Sequence, residues 1–136
     1  MHIVCHLTYR FFFLLFRQYR TEIEGELEEI CNDILDLLDK TLLAADEISD
    51  EAQVFYYKMK GDYLRYLAEV QTASSGGDAA PKAKTAYEQA WSAAKPLKAT
   101  NPIKLGLALN FSVFHYEILA RQDSACTLAK EVYAIH

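Results

Sequence analysis

Apolar residues recur along this chain at steps of three and four, the spacing that lines them up on one side of an α-helix. From Tyr19 to Ala44 the positions Ile23, Leu27, Ile30, Ile34, Leu37, Leu38 and Thr41 keep that rhythm, with glutamates and aspartates between them. This predicts a long amphipathic helix with the apolar stripe turned to a core. "DEISDEAQ" breaks the pattern. Ser49 or Asp50 can cap the next helix there, because a short oxygen-bearing side chain accepts from first-turn amides. The second helix carries "VFYYKMKGDYLRYLAEV", and "QTASSGGDAAP" comes after it as a polar, glycine-bearing linker. A third helix spans Ala80 to Leu97 and holds Trp91, the sole tryptophan. Asn101 and Pro102 mark the start of a fourth, since proline at the first helical position gives up an N–H that would have no partner. A fifth begins near Asp123. No segment alternates with period two, so the predicted class is all-α, an antiparallel array of about five helices joined by short connections.

The 136 residues fit a single domain. About half are apolar and the net charge is −5, the balance of an ordinary soluble protein rather than a nucleic-acid binder or a disordered chain. Charge is uneven, however. Twelve acidic residues lie between Glu22 and Glu51, whereas eight basic residues face four acidic ones from Lys58 to Lys104. That basic middle can favour an anion in a groove, or can simply be a solvated face. Cys5, Cys31 and Cys126 are odd in number and form no CxxC pattern, which argues against a disulfide framework and for a reducing, cytoplasmic compartment. His2, Cys5 and His6 share helical spacing but lack a fourth ligand, so no metal site and no cofactor are expected. The chain has no nucleophile elbow, phosphate-cradling glycine loop or HExxH, which argues against an enzyme.

Residues 1–18 stand apart from residues 19–136. They contain no acidic residue, and "FFFLLF" lies between Arg10 and Arg17, a run too short to span a bilayer. The segment also lacks the pattern of a secretory signal, and has too little serine for a mitochondrial presequence. It reads as a helical extension or as sequence foreign to the rest of the chain.

Two stripes carry candidate chemistry. Lys58, Asp62 and Arg65 fall on one face of the second helix, with Tyr66 beside them. Such a face is a surface salt ladder worth a few tenths of a kcal/mol per pair, or a set of charge-assisted donors that Asp62 holds extended to grip a phosphate dianion. On the fourth helix Asn110, Val113 and Glu117 lie at i, i+3 and i+7, flanked by Gly106 and Leu109. An amide that both donates and accepts suits the backbone of an extended peptide. The plainer alternative makes Leu109 and Val113 core residues and Asn110 an interhelical bond.

"YYKMKGDYLRYLAEV" and "NPIKLGLALNFSVFHYEIL" strongly resemble the 14-3-3 family of phosphoserine/phosphothreonine-binding adaptors, and "YRTEIEGELEEICNDILDLLDKTLL" and "DSACTLAKE" resemble its neighbouring segments in the same order. The resemblance covers about Tyr19 to Val132. It implies an antiparallel helical array with a concave amphipathic groove, cytoplasmic location, and phosphorylated client proteins as partners, with no nucleic acid and no membrane span. It also implies that Arg65 and Tyr66 are a phosphate-gripping pair, that Lys58 is a basic residue of the same groove, that Leu109, Asn110 and Val113 belong to the helix that fixes the ligand backbone, and that Glu117 is a groove acid. The family has about nine helices, and the matching segments run from within the fourth to within the eighth. A lysine and an arginine of the family's third helix have no equivalent before Tyr19, and Trp91 does not replace a tryptophan of its last helix. Phosphopeptide binding is therefore expected to be weakened, and dimerisation, which uses the first helices, is in doubt. The alternative is a helical protein-interaction fragment without phosphate dependence. Apolar faces left open by absent helices invite association, and "FFFLLF" is a candidate cover for one of them.

Overall fold

The structure, a computed structural model, describes the backbone of residues 2–74 and 77–133 and the side chains of residues 6–71 and 77–131. Among these the chain forms α-helices and no strand: α1 His2–Leu37, α2 Asp50–Ser74, α3 Ala79–Ala93, α4 Pro102–Glu117 and α5 Gln122–Tyr133. A π-helical turn, Leu38–Leu42, closes α1 and is sealed by Leu43 N–H donating to the Leu38 carbonyl at 2.8 Å. The all-α expectation holds.

α2 is the central element and touches α1, α3 and α4, while α5 packs on α4. Ser49 caps α2, its Oγ accepting from Ala52 N–H at 3.3 Å, and Asp50 and Glu51 place negative charge at the helix's positive end. Asn101 caps α4, accepting from Ile103 and Lys104 N–H at 2.9 and 3.3 Å, with Pro102 just inside. The predicted linker is shorter than its composition suggests, because α2 runs on to Ser74. Between α4 and α5, Ala120 takes a left-handed backbone (φ 51°), which lets Arg121 N–H reach the His115 carbonyl at 2.9 Å.

The core is aromatic where α3 meets α4. The ring of Tyr87 stacks on Phe111 at 5.2 Å and tilts against Phe114 at 5.4 Å, and Val54, Leu64, Leu67 and Leu107 close around them. Gly61 makes this approach possible, since a Cβ there would lie 2.8 Å from two ring carbons of Tyr87.

α1 departs from the sequence expectation in two ways. It starts at His2, so the aromatic segment is helical and continuous with the acidic helix in one rod of about 54 Å at ~1.5 Å per residue. Its predicted core stripe is also only partly in the core: Ile23, Leu27, Ile30 and Leu37 are exposed, Ile34 is half-buried, and Leu38 alone of the stripe is buried, where it joins Cys31 and Leu35 in the contact with the body. At ~100° per residue the centre of the contact face sits roughly 90° around the helix from the exposed positions. α2 lies on the contact side, and no described element lies over the exposed positions. "FFFLLF" covers nothing either, as all six of its side chains are exposed. The side chains of His2 and Cys5, from the weak metal pattern, lie outside the described residues; among those described, no cluster of histidine, cysteine and carboxylate side chains is placed to hold a metal.

Candidate functional site

The candidate site lies where α2 faces α4, and its centre is Asp62. Gly61 admits Tyr87 against α2, which brings the phenol to the next residue: Tyr87 Oη donates to Asp62 Oδ1 at 2.6 Å. Asn110 Nδ2, from α4, donates to the same oxygen at 2.8 Å, and Lys58 Nζ, one turn back on α2, donates to Oδ2 at 2.7 Å. One carboxylate thus joins three helices. Burial and then the neighbouring Asp62 push the Tyr87 phenol far above its ordinary pKa, so it acts as a neutral donor.

Arg65 lies three residues beyond Asp62 but is not held by it, contrary to the expected ladder. Its guanidinium lies 3.0 Å from Glu69 and 3.7 Å from Glu117 of α4, and over the Tyr66 ring at 4.8 Å. Only 12 % of its side chain is exposed, and Nε has no acceptor. Burial works first against its charge, yet the nearby Tyr87, then Tyr66 and Glu69, outweigh it and leave the pKa above the usual arginine value. The site therefore holds a desolvated cation with one unused N–H, matched by carboxylates that are themselves about half exposed.

All seven residues singled out in the sequence lie on these two helices. Lys58 and Asn110 converge on Asp62. Arg65, Tyr66 and Glu117 form a second group beside them. Leu109 is 64 % exposed, which removes the reading of it as core, and Val113 is half-buried. Val113 and Glu117 also line an open, apolar trough of about 500 Å³ between α4 and α5. A cleft of about 610 Å³ between α1, α2 and α3 contains none of the seven, and its rim carries the ion pairs Lys60–Asp39 and Lys82–Asp78. Sequence reasoning missed Tyr87, which sits in an ordinary-looking third helix. The glycine before Asp62 was the one local hint that a bulky side chain had to come close.

What this arrangement can do is bind an anion. Lys58 and Arg65 stand seven residues apart on one helix face, and the Asn110 amide, anchored through one N–H, lies across from them. A planar guanidinium forms paired bonds with phosphate oxygens that an ammonium cannot.

A family model described as 14-3-3 protein matches residues 13–135. The chain is 52% identical over 118 residues to 14-3-3 protein zeta of Xenopus laevis, 49% identical to 14-3-3 protein beta/alpha of Gallus gallus and 48% identical to that of Homo sapiens. Each match takes in 86% of this chain and 48% of the relative, so the chain spans about half the length of the curated relatives it matches.

Proposed function

The chain belongs to the 14-3-3 family, and on that premise we propose that it is an adaptor binding phosphoserine or phosphothreonine peptides in phosphorylated client proteins of the cytoplasm. Arg65 and Tyr66 grip the phosphate, with Lys58 supplying a second cation. Asn110 fixes the peptide backbone, and Leu109 and Val113 meet its apolar side chains. Glu117 balances Arg65 until the ligand arrives. The observation that carries this reading is the state of Arg65: a mostly buried guanidinium with an unpaired Nε, held by half-exposed carboxylates. The carboxylates of Glu69 and Glu117 keep about half of their side chains in water and are resolvated on release, and each charge-assisted bond to phosphate contributes ~1.5–3 kcal/mol, so a dianion takes their place.

Fluorescence anisotropy tests the proposal with an arginine-rich serine peptide, phosphorylated and unphosphorylated, and with the Arg65→Ala variant. Binding that requires phosphate and disappears in the variant is the expected outcome. Equal binding of both peptides by both proteins would replace this function with phosphate-independent helical association, for which the open apolar side of α1 is the supporting observation.

A further inference from the structure

The first part of α1 projects beyond the helical body, and its side chains sort by chemistry around the axis. Leu7, Phe11, Phe12, Leu14, Leu15 and Phe16 are each more than half exposed. At ~100° per residue they spread over well more than half of the circumference. The arginines fall in the remaining arc, with Arg10 and Arg17 seven residues apart and Arg20, paired with Glu24 at 2.7 Å, near Arg17; His6 lies one turn before Arg10, and Phe13 alone interrupts the arc. No acidic residue occurs before Glu22, and eight lie from Glu22 to Asp39. The rod is therefore cationic and apolar over its first five turns and acidic beyond.

We propose that residues 6–20 form a surface anchor that lies in the plane of a lipid bilayer bearing anionic headgroups. A helix with a broad aromatic and aliphatic face and arginines along the opposite arc is what the headgroup boundary accommodates, with the apolar side sunk among the upper acyl carbons and the arginines level with phosphates. Three features favour a bilayer over a second copy of this chain. A helix pair buries a narrow seam, about two positions in seven, and would leave most of this face in water. Phe11 to Phe16 point in every direction around the axis, and a soft boundary can receive all but the cationic arc. The charge also changes sign at Glu22, so an anionic surface attracts the anchor and repels the acidic stretch beyond it, which limits contact to the projecting part. The helix does not cross the bilayer: no described helix is long and apolar enough to do so.

Because the anchor makes no contact with the core residues, variants within it leave the body folded, and equal thermal melting of the body would verify this. Flotation of the full chain on a density gradient, with vesicles of phosphatidylcholine alone or with about a quarter phosphatidylserine, separates bound protein from aggregates. The expected result is flotation with the anionic vesicles, reduced about tenfold or more on neutral ones, and lost in both Phe12→Ser/Leu15→Ser and Arg10→Glu/Arg17→Glu. Equal flotation on both vesicle types would overturn the anionic assignment. An absence of flotation would overturn the anchor; in that case light scattering that finds a dimer, broken by Phe12→Ser/Leu15→Ser, would assign the face to a second copy instead.

Discussion

Replacing Asp62 tests whether one carboxylate holds the site together. In Asp62→Ala three donors lose their acceptor at once. The Tyr87 hydroxyl belongs to a fully buried residue, so leaving it unpaired costs about 1–3 kcal/mol. Lys58 keeps 19 % of its side chain in water and can be resolvated, so its lost partner counts for no more than about 1 kcal/mol. The half-buried Asn110 adds ~0.5–1 kcal/mol. The sum is about 1.5–5 kcal/mol. Asp62→Asn keeps the oxygen that receives Tyr87 and Asn110 and loses only the charged partner of Lys58, so it costs no more than about 1 kcal/mol. With an unfolding entropy of ~2.1 cal/mol/K per residue over 136 residues, the Tm falls by roughly 5–17 °C in the alanine variant and by no more than about 4 °C in the asparagine variant. Thermal melts followed by far-ultraviolet circular dichroism measure both. If the two variants melt together, or the alanine variant melts within about 3 °C of the parent, Asp62 is not the junction of the three helices.

Gly61→Ala would ordinarily stabilise a helix by ~1 kcal/mol, but here the new Cβ meets the Tyr87 ring at 2.8 Å. Overpacking at ~1–3 kcal/mol wins, and a raised Tm in urea or thermal melts would show that the ring has room to move. His115 is buried against Phe111 with an unpaired Nδ1, and burial, then Lys84 and Arg121, lower its pKa against a smaller opposing pull from Glu88. The unfolded chain therefore binds this proton more readily, and stability falls as pH drops below the unfolded histidine value of ~6.5 toward the lowered folded value. His115→Phe removes that dependence, so the Tm of the variant relative to the parent rises between about pH 6.5 and pH 5; a constant difference would exclude His115 as the source.

Helix existence and most caps were legible because they depend on neighbours in sequence. Asn101 with Pro102 predicted the start of α4, and Ser49 or Asp50 that of α2, of which Ser49 is the cap, since a cap and its amides lie within three residues of each other. The third helix and the linker were misjudged at their ends for the same local reason, as polar residues such as Gln71 and Thr72 read as loop but are carried along by a helix already nucleated and packed. The π-helical turn left no local signal, as its residues suit an α-helix equally well.

Direction around the helix was harder, and the same limit applies to α1 and to the site. A period of 3.6 says which residues share a face; it does not say what lies opposite that face. On α1 most of the predicted stripe, Ile23, Leu27, Ile30 and Leu37, is open, and its edge at Leu38 is buried beside Cys31 and Leu35, which the stripe did not include. On α2 the face shared by Lys58, Asp62 and Arg65 was visible, but the division of partners within it was not. Asp62 takes Tyr87 from 25 residues away and Asn110 from 48, together with Lys58 from its own helix, while Arg65 pairs with Glu69 and Glu117. Partners that arrive from other helices leave no trace in the spacing along one. The basic pair is split, Lys58 tied to the carboxylate that joins three helices and Arg65 to the half-exposed carboxylates of Glu69 and Glu117, a division that spacing along α2 does not contain.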